Sequence, residues 1–257
     1  MINHGKLKAK ELINNYCINS FENFRLEEIV NAEGLIILEK PLQNMLGKLI
    51  VSGDSGIIYI NSEIREPGMK RFTIAHELGH FIIDRGRNNY AHIFKQKIYT
   101  SNSPTEREAN SFAAELLMYK PWFSDFIKNK SFEFNLLIEI ANHFNVTLLA
   151  AALRYAEEGT EPIAVILSKN GRIKWCFINR YFPLNSINKI EPIKKETMAY
   201  KVMMNKCNYD DKIAIEAYYW FDYSSKPKSK MNMWLYEYSY YYHYYDAVLT
   251  ILWEMKT

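Results

Sequence analysis

The chain has 257 residues, enough to bury a core in one large or two small domains. Its composition, 48% hydrophobic and 24% charged, is that of an ordinary globular protein, and a net charge of +3 gives no electrostatic argument for nucleic acid or membrane binding. Three widely spaced cysteines argue against a disulfide framework; no apolar run approaches the ~20 residues of a membrane span and no secretory signal is visible, so a cytoplasmic protein with reduced thiols is expected.

Residues 5–16 and Leu26 to Ala32 read as short amphipathic helices. Leu35 to Leu38 is a strand after Gly34, and Lys48–Ser52 with Ile57–Asn61 form a hairpin around a Gly-Asp-Ser-Gly turn. Pro67 and Gly68 punctuate the chain before a helix from Lys70 to about Asp84, whose apolar residues Phe72, Ile74, Ala75, Leu78, Phe81 and Ile82 keep helical spacing. A polar loop follows. The next helix opens near Ser103-Pro104, runs through Leu117 and is closed by Pro121. Residues 133–144 and 148–157 read as a helix pair with Thr147 as N-cap of the second. After Gly159 the pattern becomes β-rich: Ile163–Ser168 and Arg172–Ile178 around Asn170-Gly171, then Met231–Tyr240 and Ala247–Trp253. This places a domain boundary near residue 160, between a domain at 1–160 and one at 161–257.

Residues 76–80 read His-Glu-Leu-Gly-His. On a helix, positions four apart share one face, so His76 and His80 can both reach one ion, about 2.0–2.1 Å from each ring nitrogen. Glu77 sits one step round the helix, where it can take a proton from a zinc-activated water and later pass it to a leaving amine. A catalytic zinc needs a third protein ligand and an open position. From spacing, Glu106 leads, with Glu108 and His92 as alternatives; His4 and His243 lie in terminal segments and His143 in a helix. The competing reading for Glu106 is a capping box, Ser103-Pro104-Thr105-Glu106, which would fold its carboxylate back onto the backbone. Asn110, four residues on, shares the face of Glu106 and can hydrogen-bond a ligand imidazole.

The runs RFTIAHELGHFIID (Arg71 to Asp84) and EREANSFAAELLM (Glu106 to Met118) resemble the ImmA/IrrE-type zinc metallopeptidases. The similarity covers roughly residues 5–160, including YINSEI in the preceding hairpin and IANHFNVTLLAAALRY in the later helix pair. The resemblance implies Zn2+ held by His76, His80 and Glu106, with Glu77 as the catalytic glutamate. It further implies a protease whose protein partner is a helix-turn-helix repressor, cleaved to release mobile-element or stress genes. One departure is local: the proline that commonly follows Leu-Leu-Met comes late, at Pro121. Residues beyond 160 resemble the sensor-like extension of some members.

The expected fold is α+β: a zincin-like helical domain with a small β-sheet, then a mainly antiparallel β domain. The Ile57–Asn61 strand is a candidate edge for an extended substrate, weighed equally against an interior strand. His143, Arg154 and Tyr155 are possible oxyanion groups, each more simply a packing or surface residue. The helix pair offers one arginine and two glutamates in its second helix, which suits a core and not a DNA groove. The tyrosine-rich run from Tyr236 has no interleaved Lys or Arg and reads as a sheet face or self-association surface. A rival for the whole chain is a non-proteolytic regulator with structural or sensory zinc; the carboxylate of Glu77 beside the metal favours the enzyme.

Overall fold

The computed structural model describes residues 3–86, 91–94, 103–189, 191–222, 233–243 and 245–255. The expected loop residues 87–90 and 95–102, and the first two residues of the strand expected at 231–240, lie outside the described residues. The chain forms two units, Met1–Lys130 with Ile138–Ala151, and Ser131–Leu137 with Ala152–Thr257.

The first unit opens with helices α1 (His4–Asn15) and α2 (Leu26–Ala32), then strands β1 (Leu35–Lys40), β2 (Gly47–Ser52) and β3 (Ser55–Asn61). Helix α3 (Pro67–Ile83) follows, then β4 (Ala91–Phe94), α4 (Pro104–Leu117) and α5 (Lys120–Ile127). Helices α6 (Phe134–Phe144) and α7 (Leu148–Glu158) give residues to each unit. The four strands form one sheet in the order β1-β3-β2-β4. β2 and β3 are the expected hairpin, and β1 runs parallel to β3. Helix α3 packs on β2 and β3, whose Leu49, Val51, Ile58 and Ile60 are buried, and α4 packs on α3 and α1.

Two prolines act differently from expectation. Pro67 is the first residue of α3 and Pro121 lies in the first turn of α5, which the sequence reading omitted. Proline lacks an N–H that a first helical turn leaves unpaired anyway, so Pro67 opens a helix it was expected to precede and Pro121 opens a helix where it was expected to close one. The Ile57–Asn61 strand, weighed as a substrate edge, is interior, because β1 pairs parallel on its free side. The edges are β1 and β4.

Gly79 sets the spacing of α3 and α4. A Cβ there would lie 2.9 Å from Cδ1 of the buried Phe112 on α4. The absent side chain lets α4 close onto α3. Asn61, at the end of β3, is a second fixed point. Its amide nitrogen donates to the carbonyls of Leu42 (2.9 Å) and Met45 (3.0 Å), and its oxygen accepts from the N–H groups of Leu42 and Glu63. One buried side chain thereby satisfies the loop that joins β1 to β2.

The second unit holds β5 (Ile163–Lys169), β6 (Arg172–Ile178), α8 (Met198–Asn205), β7 (Ile213–Glu216), β8 (Trp234–Tyr242) and β9 (Ala247–Glu254). Its five strands are ordered β6-β5-β9-β8-β7 and every pairing is antiparallel. The α+β expectation therefore holds, a helical region followed by a mainly antiparallel sheet. α8 and β7 are additions to it. The tyrosine run is strand β8: Tyr236, Tyr238, Tyr240 and Tyr242 alternate on one half-buried face, while Leu235, Glu237, Ser239 and Tyr241 face a core with Val202, Trp220 and Leu252. The three cysteines are unpaired. Among the described residues no single helix is long and apolar enough to cross a membrane.

Candidate metal centre

Helix α3 carries His76, Glu77 and His80 on its buried side; His76 and Glu77 are wholly buried. The i, i+4 spacing brings the two imidazoles together, with Nε2 of His76 3.1 Å from Nε2 of His80. Glu106 enters from the first turn of α4. Its Oε2 is 3.4 Å from His76 Nε2 and its Oε1 is 3.3 Å from His80 Nε2. The capping box does not form: Ser103 caps the helix without a side-chain hydrogen bond, and its hydroxyl meets Thr105 at 2.7 Å. Glu108 points elsewhere, half-exposed and 3.6 Å from His4.

The polar atoms around this cluster orient it. Asn110 Oδ1 accepts from Nδ1–H of His76 at 2.9 Å, as its spacing from Glu106 suggests. An amide oxygen can only accept, so the Nε2 lone pair of His76 faces His80 and Glu106. Asp84 stands 4.0 Å from His80 Nδ1.

His92 is the residue that sequence reasoning misplaced. It was expected in a polar loop and lies on edge strand β4, paired opposite Leu49 of β2. Directly opposed residues share a sheet face, and Leu49 is buried, so His92 turns toward α3. Its Nδ1 is 2.9 Å from Glu77 Oε2 and its Nε2 is 2.6 Å from Glu106 Oε1. Its ring stacks on that of His80 with centroids 3.7 Å apart. The one signal available was the alternation of Ala91-His92-Ile93-Phe94, which reads as a short strand with a polar residue on one face.

The electrostatics are those of two carboxylates among three imidazoles. Burial lowers His76, opposed by its hydrogen bond to Glu106. Burial also pulls His92 down, but its hydrogen bonds to Glu106 and Glu77 and their charges outweigh this and raise it to about 9. For Glu106, burial raises the carboxyl, and hydrogen bonds from His76, His80 and His92 override it and hold it well below the usual carboxylate range.

Four residues, His76, His80, His92 and Glu106, bring donor atoms within 4.8 Å of one another and form a group able to hold a metal ion. Donors about 2.0–2.2 Å from one tetrahedral ion stand roughly 3.3–3.5 Å apart. The separations among His76, His80 and Glu106 are 3.1, 3.3 and 3.4 Å. His76 meets Glu106 through Oε2 and His80 through Oε1, each at close to that spacing, so the group is compatible with a single ion. The possible oxyanion groups lie in other settings: His143 stacks on Phe126 at 4.3 Å, and Arg154 is buried against Glu157 and Glu158.

A His-Glu-x-x-His helix, a carboxylate donor from the next long helix and a small mixed sheet are together the parts of a metallopeptidase-type site. Residues 30–155 match the peptidase M78 family, described as an IrrE N-terminal-like domain, so this segment belongs to the ImmA/IrrE family that its motifs resemble. A solved structure of a Mycobacterium tuberculosis transcriptional regulator superposes with a TM-score of 0.58 over 98% of this chain and 76% of that one, at 11% identity, a likeness of fold alone. A comparison with curated proteins finds no match.

Proposed function

We propose that the protein is a zinc-dependent endopeptidase that cleaves a DNA-binding repressor. The observation that carries this reading is Glu77. Its carboxylate is wholly buried beside three fitting metal donors, and its Oε1 has no hydrogen-bond partner among the described residues. A buried carboxylate with an idle oxygen is costly, and such groups concentrate where chemistry uses them.

His76, His80 and Glu106 would hold the zinc. Bound there, the ion would supply a Lewis acid that acidifies water and polarises a peptide carbonyl. Glu77 then takes a proton from the attacking water as the water oxygen joins the carbonyl carbon, and returns it to the amine nitrogen as the C–N bond breaks. Asn110 holds His76 in the tautomer that presents its Nε2 lone pair. The repressor as substrate rests on the family resemblance, and the solved neighbour's description as a transcriptional regulator is compatible with it.

One observation favours the rival, a non-proteolytic regulator with structural zinc: His92 brings a fourth donor into the same group, as closed structural sites have. Expression of the wild type and of Glu77→Gln in the same cells separates the two. Both should fold and carry one zinc. Proteome comparison should reveal a DNA-binding protein that the wild type removes and the variant spares, its cleavage slowed at least about 100-fold. Equal removal by both chains would sink the assigned mechanism, and no loss with either would favour the rival.

A further inference from the structure

The place of His92 decides what kind of site this is. A second ligand to the same ion should stand roughly 3.3–3.5 Å from the Glu106 oxygens, as the His76 and His80 nitrogens do. His92 Nε2 is only 2.6 Å from Glu106 Oε1, a hydrogen-bond distance and too short for two donors on one tetrahedral ion. Its other nitrogen is taken as well, at 2.9 Å from Glu77 Oε2. Each ring nitrogen therefore lies within hydrogen-bond reach of one carboxylate.

We propose that His92 is a positioning residue that clamps the metal-binding carboxylate of Glu106 and the catalytic carboxylate of Glu77 at fixed separation, leaving the fourth metal position open. Three elements meet in this clamp. Glu77 comes from α3, Glu106 from α4, and His92 from edge strand β4. Glu77 is fixed from its other side by β2. A Cβ on Gly47 would lie 3.2 Å from Glu77 Oε1 and 2.6 Å from Thr73, so the glycine admits the carboxylate while His92 fixes its rotation. The stacking of His92 on His80 sets the plane of the clamp. This inference rests on the metal reading proposed above.

The test is zinc retention by the full chain under chelator challenge, for the wild type and for His92→Ala, His92→Gln and His92→Asn. A glutamine amide nitrogen can stand near the place of Nε2, and an asparagine amide nitrogen near that of Nδ1. Each variant should still load one zinc per chain. His92→Ala and His92→Asn should release it about 10–100-fold faster than wild type, because Glu106 has lost its outer partner. His92→Gln should stay within a few-fold of wild type. Crystal structures of the loaded variants should show Glu77 turned in His92→Gln and held in His92→Asn. Wild-type release rates in all three variants would overturn the proposal. So would loss of stoichiometric zinc in all three, which would make His92 a ligand. A folded wild type that binds no zinc would refute the underlying metal reading instead.

Discussion

Glu106 and Glu108 are two residues apart on one helix and illustrate how finely the site is drawn. Both are carboxylates near the start of α4, and both are compatible with a capping box in the sequence. In the structure only Glu106 reaches the imidazoles, at 3.3 and 3.4 Å, while Glu108 faces His4 on the outside. Glu106→Ala should therefore weaken zinc binding by at least about 100-fold, whereas Glu108→Ala removes an exposed pair worth little and should leave zinc binding within about threefold. Metal analysis after chelator dialysis reads the difference, and the reverse order would reassign the third ligand. The legibility of the site follows the same lines. His76, Glu77 and His80 were readable because their geometry is local, fixed by one turn of helix. Glu106 lies 26 residues past His80, where spacing gave a leading candidate and the resemblance selected it. His92 was weighed as an alternative third ligand, but its contacts with Glu77 and Glu106 were unreadable, because its placement depends on the register of β4 against β2, a non-local pairing.

At the scale of elements, the grouping of His76, His80 and Glu106 is a consequence of how closely α3 and α4 approach. Gly79 sits at that contact, where an added methyl would lie 2.9 Å from Cδ1 of Phe112 and 3.3 Å from its Cβ. Phe112 is fully buried, so it has little room to yield. Gly79→Ala should cost about 1–3 kcal/mol of stability in urea unfolding of the apo chain. It should also weaken zinc binding, because Glu106 moves with α4 while His76 and His80 stay with α3. Unchanged stability would mean that the helices are not held at contact. The helices were the most legible elements, since α1, α2, α4, α6 and α7 carry their own periodicity; Thr147 Oγ1 accepts from the Ala150 N–H as an N-cap should. Short β4, β7 and α8 were missed. Four residues of strand or eight of helix give too few periods to rise above the surrounding pattern, and tertiary packing supplies their stability.

On the scale of the whole molecule, the two units differ in what their buried charges do. In the first, the buried carboxylate Glu77 lies beside a group able to hold a metal ion. In the second, Glu237 is buried inside the sheet core. Its oxygens accept from the Ala199 N–H at the start of α8 (2.8 Å), from Trp220 Nε1 (3.1 Å) and from the Ser239 hydroxyl (3.1 Å), and Ser239 in turn meets Thr250 at 2.8 Å. Burial raises this carboxyl to about 7 against those hydrogen bonds, which lower it. A carboxyl raised on folding binds its proton more tightly in the folded chain. Its contribution to stability is full below the unfolded value near 4.5 and is lost as the pH rises through about 7. Over that window the loss is about 3 kcal/mol, by the pKa difference. Glu237→Gln removes the titration and keeps an oxygen for the Ala199 and Ser239 donors, while its amide nitrogen replaces the oxygen that accepts from Trp220, a cost that does not vary with pH. The variant should therefore gain on the wild type by about 3 kcal/mol between pH 4.5 and 7.5 in urea unfolding followed by tryptophan fluorescence. Trp220, which contacts the carboxylate, reports on this unit. A difference that stays constant with pH would show that Glu237 is charged in the folded chain throughout, and that the network of Ala199, Trp220 and Ser239 alone satisfies it.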